Sequence, residues 1–171
     1  GDADRWAQRV DAFAPAGGHV RVGAAVHSVR AVPAAQLPVV AAWARERDAP
    51  LHLHLSEQPA ENEACQAAYG RSPAELLADA GVLGPRTTAV HATHLGDTDV
   101  RLLGTSRTGV CFCPTTERDL ADGIGPAPQL AAAGSPLSLG SDSHAVIDPY
   151  EEARGLELDE RLRSRVRGTF T

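Results

Sequence analysis

The stretch Leu51–Glu61, LHLHLSEQPAE, decides how the chain is read. Residues 50–55 follow the two-residue period of a strand, which puts His52 and His54 on one face. Glu57 comes three residues after His54, where that strand runs out. Imidazole and carboxylate together can form a metal site, or a catalytic base beside one. They can also be polar groups of a buried strand that satisfy each other. The choice depends on where the strand sits and on what converges on it.

Working outward, four more β-prone runs flank it: HVRVGAAVHSV from His19, TTAVHATHL from Thr87, TGVCFCP from Thr108 and SPLSLGSD from Ser135. Helix-like segments lie between them. In GRSPAELLADAGVLG, Ser72 is a predicted N-cap, Pro73 suits the first helical position and Glu75 completes a capping box. The runs begin about 20 to 37 residues apart, the spacing of successive β-α units with right-handed crossovers and parallel strands. This predicts a parallel α/β fold, either open and doubly wound or part of a closed barrel. Five units in 171 residues fall short of an eight-unit barrel, which takes about 250 residues. No G-x-G-x-x-G follows the first run and no Walker-type loop is present.

Composition narrows the function. The chain is 43% apolar, enough for one compact core, and only 4% aromatic, so aliphatic packing supplies most of it. All 16 basic residues are Arg and the net charge is −6, which argues against a nucleic-acid partner. No run reaches the roughly 18 apolar residues of a membrane span and no signal segment opens the chain. Three cysteines, two of them flanking Phe112, form no disulfide framework. A cytoplasmic setting is expected. The chain has no methionine and begins at Gly1, which reads as a processed chain or a fragment.

Four runs end in reactive groups: His27 with Arg30, His54 with Glu57, His91 with His94, and Asp142. In a parallel barrel such ends share one face, where active sites are assembled. Neutral imidazole and carboxylate suit a zinc-like ion, and a carboxylate beside it can move protons. Each group also has a plain structural reading. His91 alone is a hydrogen-bonded core residue, Asp142 a turn former or helix cap, Arg30 a surface charge, and Cys111 and Cys113 small buried residues. Recurrence at the same end of successive units favours the functional reading.

HLHLSEQ, VHATHL, CPTTERDLADGIGP and LGSDSH, taken in order, resemble the metal-dependent amidohydrolase superfamily. HSVRAVP, HLSEQPAE and SDSHAVIDPYEEARGLELDERLR resemble its formimidoylglutamate deiminase branch. The strand-seven motif of related purine and pterin deaminases reads Cys-Pro-x-Ser-Asn; here it is Cys113-Pro114-Thr115-Thr116-Glu117. The resemblance runs from about His19 to about Arg163. It implies hydrolytic deamination of N-formimino-L-glutamate to N-formyl-L-glutamate and ammonia in histidine degradation. It also implies one divalent ion, zinc or another metal.

The roles it implies are His54 and Asp142 as metal ligands, Glu57 as proton shuttle and His91 as the group polarising the reacting atoms. His27 and Arg30 would bind the substrate's carboxylates. It implies a small-molecule substrate, no nucleic acid or membrane partner, and a homodimer as an oligomeric form open to the complete enzyme. His52, His94 and His144 receive no role. Purine-type deamination and chlorohydrolase-type displacement stand as alternatives, against which Arg30 and the acidic TTERD loop weigh.

The superfamily's first two metal ligands form an H-x-H after strand one, whereas the only H-x-H here, His52/His54, has the motif position of strand five. The visible units would then be strands four to eight of a partial TIM-type (β/α)8 barrel, residues 1–171 forming a single domain. The N-terminal strands and a flanking β domain would be absent. The isolated chain is expected to be an inactive half-barrel, or a subunit that needs a partner.

Overall fold

The structure, a computed structural model, describes residues 2–15, 17–142 and 147–170. Five strands, β1 (Ala24–Ala25), β2 (Leu51–Leu55), β3 (Thr87–His91), β4 (Gly109–Phe112) and β5 (Leu137–Leu139), form one sheet in the order β1-β2-β3-β4-β5. Every neighbouring pair is parallel. The helices are α1 (Ala3–Asp11), α2 (Leu37–Glu46), α3 (Pro59–Tyr69), α4 (Pro73–Asp79), α5 (Asp97–Ser106), α6 (Pro114–Asp119), α7 (Ala127–Ala133) and α8 (Pro149–Ser164). A doubly wound sheet reverses its strand order at a switch point. These strands follow sequence order without reversal, as consecutive units of a (β/α)8 barrel do.

Leucine alternation decides which face meets the helices. Leu51, Leu53 and Leu55 are buried and pack in one core with Leu37 of α2, Leu77 of α4, Leu103 of α5 and Leu130 of α7. Burying each such side chain contributes about 1.5–3 kcal/mol. Gly104 of α5 lies so close to Ala133 of α7 that an added Cβ would overlap the Ala133 carbonyl. His52 and His54 point the other way, His52 exposed and His54 half-buried. Register continues that second face through His54, Val90, Cys111 and Ser138.

The predicted cap is present: the Ser72 hydroxyl accepts the Glu75 N–H (3.1 Å) and Glu75 Oε2 accepts the Ser72 N–H (2.9 Å). Three details differ from the sequence reading. The first β run shortens to two residues because it lies at the sheet edge with β2 as its one neighbour. Helix α1, capped by Asp2 (Arg5 N–H to Asp2 Oδ1, 2.8 Å), was not anticipated. The TTERD segment is helix α6 rather than a loop, fastened by Glu152 of α8. That carboxylate accepts the Thr115 N–H (3.0 Å) and the Thr115 hydroxyl (2.5 Å). Among the described residues no helix is long and apolar enough to cross a membrane. His144 lies outside the described residues.

Candidate metal and proton-transfer site

All five strands deliver their carboxyl ends to one edge of the sheet, and the backbone there is unusual. Ser56 after β2, His91 and Ala92 at the end of β3, and Asp142 after β5 have φ of 48°, 69°, 51° and 44°. Non-glycine residues in this left-handed region are held there by surrounding structure, at a cost of order 1–3 kcal/mol each. The consequence is clearest at His91. Register pairs it with Leu55, whose side chain faces the helices. The left-handed turn instead brings the His91 ring to the His54 side, where the two rings stack 5.6 Å apart at 17°.

His54 is aimed by backbone. The carbonyl of His27 accepts both the His54 backbone N–H (2.9 Å) and the His54 Nδ1–H (2.9 Å). A carbonyl only accepts, so Nδ1 carries the hydrogen and Nε2 keeps a lone pair, the state a metal-ligating histidine needs.

His91 is fully buried, and its Nε2 has no hydrogen-bond partner. That atom looks between Asp142 Oδ2 at 3.7 Å and Glu57 Oε1 at 3.8 Å, both too long for hydrogen bonds. On the ring's other side, Nδ1 lies 3.2 Å from Glu117 Oε1. Burial alone would lower the His91 pKa. The Glu117 hydrogen bond and the charges of Glu57, Glu117 and Asp142 outweigh it and hold the imidazole above its ordinary value.

Ligand atoms of His54, His91 and Asp142 all lie within 4.8 Å of one another. The free Nε2 of His54 and the Asp142 carboxylate suit the chemistry of a zinc-like ion, with the orphaned His91 Nε2 beside them. The residues therefore fit the group. Of the six site residues expected from the sequence, the structure clusters His54, His91, Asp142 and Glu57. His27 and Arg30 border that cluster along the β1 edge. The exposed His27 ring is 5.0 Å from that of His54, with Nδ1 3.0 Å from the Ser28 hydroxyl. Arg30 is turned back onto the protein, with Glu57 Oε2 at 3.2 Å and Glu61 Oε2 at 3.7 Å.

Sequence reasoning assigned no role to Glu61 or Glu117. Glu61 is 2% exposed, and burial pushes its carboxyl pKa up against the opposing pull of Arg30 and of the Ser56 and Glu57 backbone. Nothing in one sequence marks a helix glutamate as buried. Glu117 carried a signal, since it stands where related motifs have Asn. His94, which received no role from the sequence, is held at both ends: its Nε2–H donates to the Asp122 carbonyl (2.7 Å) and its own carbonyl accepts from Asn62 (2.6 Å). Cys113 is buried and Cys111 half-buried. A hydrogen bond between the two thiols lowers Cys111 to about 7 and raises Cys113.

A sequence model of the amidohydrolase family matches residues 2–166. Formimidoylglutamate deiminase of Pseudomonas aeruginosa is 41% identical over 160 residues, covering 94% of this chain and 35% of that protein. The crystal structure of an amidohydrolase from Brucella melitensis superposes with a TM-score of 0.89 at 34% identity, covering 100% of this chain and 38% of that one. An adenosine deaminase from Xanthomonas campestris, crystallised with bound zinc, superposes with a TM-score of 0.83 at 26% identity, covering 95% and 37%. The chain thus spans little more than a third of the length of each of these relatives, and the fold is a partial TIM-type barrel.

Proposed function

The chain belongs to the amidohydrolase family, and on that footing we propose that it supplies part of a metal-dependent active site. That site would hydrolyse the C–N bond of N-formimino-L-glutamate, releasing N-formyl-L-glutamate and ammonia. The observation that supports this most is the convergence of His54, His91 and Asp142 with Glu57 and Arg30 beside them. His54 and Asp142 would hold the ion. When bound, a divalent cation supplies the Lewis acidity that makes water nucleophilic near neutral pH. Glu57 takes the proton from the attacking water and passes it to the departing nitrogen. His91 presents Nε2 to the attacking water and polarises it by accepting its hydrogen bond. Arg30, a planar fork matched to a carboxylate, and His27 receive the glutamate portion. Binding there competes with Glu57 and Glu61 for the same guanidinium.

The formimidoylglutamate deiminase of Pseudomonas aeruginosa supports the substrate assignment, and the Xanthomonas adenosine deaminase keeps purine deamination as the second reading. Arg30 at the border of the cluster favours the acidic substrate. Ammonia release by a complete enzyme containing this chain, with N-formimino-L-glutamate and adenosine compared by kcat/KM, decides between them. A preference for adenosine discards the formimino reading. Within these 171 residues the H-x-H motif is used once, on β2, and a metal site normally draws on three or four protein ligands. The chain alone therefore binds zinc weakly and does not turn over; ammonia release by the pure chain would overturn this. The complete enzyme works in the cytoplasm on a small carboxylate substrate, without nucleic acid or membrane, and is open to homodimer formation.

A further inference from the structure

Glu117 begins as an anomaly. It is a carboxylate 6% exposed, in the first turn of a six-residue helix, and among the described residues its one ionic partner is His91. The mechanism above makes no use of it. Its Oε1 accepts the backbone N–H of Cys113 at 2.8 Å and lies 3.2 Å from His91 Nδ1. An oxygen already accepting one N–H is the acceptor of the second pair as well, so His91 Nδ1 is the donor. In the neutral ring the lone pair then sits on Nε2. This is the buried atom without a partner that faces Glu57 and Asp142.

The support behind Glu117 is rigid. The Glu117 N–H donates to the Cys113 carbonyl (2.9 Å), and Glu152 of α8 clamps Thr115 two residues earlier. His91, Cys113 and Glu117 also place ligand atoms within 4.8 Å of one another. That group is a poor cation site, because Oε1 already receives two N–H donors.

We infer that Glu117 is a positioning residue, which fixes His91 in the Nδ1–H tautomer and aims its bare Nε2 at the reacting atoms. It does for His91 what the His27 carbonyl does for His54. The inference rests on the proposed role of His91, but its first test needs no substrate.

Long-range proton–nitrogen correlation spectra of the 15N-labelled chain, with the His91 ring assigned by loss in His91→Gln, read the tautomer directly. At a pH above the ring's titration, Nδ1 should be protonated and Nε2 bare, the reverse of the preference of a free histidine side chain. Glu117→Gln retains that tautomer through its amide oxygen, whereas Glu117→Ala releases it toward Nε2–H. An Nε2–H ring in the unmodified chain, or an unchanged ring in Glu117→Ala, overturns the inference. The unmodified chain decides even if the alanine variant fails to fold.

In the complete enzyme, Glu117→Ala should lower kcat by about 10- to 100-fold with KM nearly unchanged, and Glu117→Gln should recover most of the loss. An effect on KM alone, or equal losses in both variants, overturns it too. A complete enzyme that ignores N-formimino-L-glutamate while keeping the stated tautomer sinks the substrate reading and leaves this inference standing.

Discussion

His91 and His27 both stand at the carboxyl end of a strand, yet the structure treats them oppositely. His91 ends β3, which pairs on both sides, and its ring is sealed from solvent with Glu117 behind it. His27 follows the two-residue β1 at the sheet edge, and its ring is exposed. Arg30 shares that edge, held by ion pairs to Glu57 and Glu61. Of the groups proposed for bond-breaking, His54, Glu57 and His91 thus belong to strands locked by neighbours on both sides, while Asp142 follows β5 at the far edge; those proposed for substrate recognition belong to the β1 edge. Precision is needed where protons move over fractions of an ångström. A binding residue tolerates exchange of one partner for another.

Four substitutions probe this contrast, from the largest expected effect to the smallest. In a complete enzyme Glu57→Gln should lower kcat by about 10²–10⁴ with little loss of stability. Near-normal turnover under saturating substrate would remove Glu57 from the shuttle role. Leu55→Ala, at a fully buried position on the strand that carries His54, should cost about 2–5 kcal/mol, seen as a lower denaturation midpoint. A negligible change would mean that the centre is no more rigid than the edge.

Arg30→Ala should act on KM rather than kcat, by roughly 1.5–3 kcal/mol for a lost charged hydrogen bond. A loss confined to kcat would place Arg30 in the chemistry. Glu61→Gln should stabilise the fold at neutral pH, since it removes a buried carboxylate whose desolvation outweighs the pull of Arg30 and of the Ser56 and Glu57 backbone. Glu61 binds its proton more tightly folded than unfolded. Its favourable contribution is therefore full below the ordinary glutamate value of 4.5 and is lost as pH rises through the raised folded value. The gain from Gln should accordingly appear only above that range. A gain of equal size at acid pH would rule out this cause.

Much of this was legible from alternation. The LHLHL pattern put His54 on the face away from the leucines, and spacing put Glu57 at the strand exit. The same two-residue rule misplaces His91. Thr87, Ala89 and His91 share a period, and the first two are buried, so periodicity alone sends the histidine toward the helices. The left-handed turn at His91 and Ala92 reverses it. No local propensity predicts that turn at a histidine and an alanine, because tertiary structure imposes it. Glu117 was marked by its place in the CPTTE motif, but its contact with His91 was hidden for a related reason. Its helix α6 is short and held by Glu152, 37 residues away in sequence from Thr115. Local sequence leaves such a segment as a loop.

The double hydrogen bond from His54 to the His27 carbonyl has a consequence for how such a site changes over time. The orientation of the His54 ring, proposed to bind the metal, depends on the main chain at position 27, whereas the side chain there is exposed at the border of the site. Under the proposed function, exchanging that side chain would change what the site recognises and leave the carbonyl in place. Position 27 therefore separates two tasks within one residue, and a lineage can explore new substrates at it without first dismantling the apparatus that holds the ion.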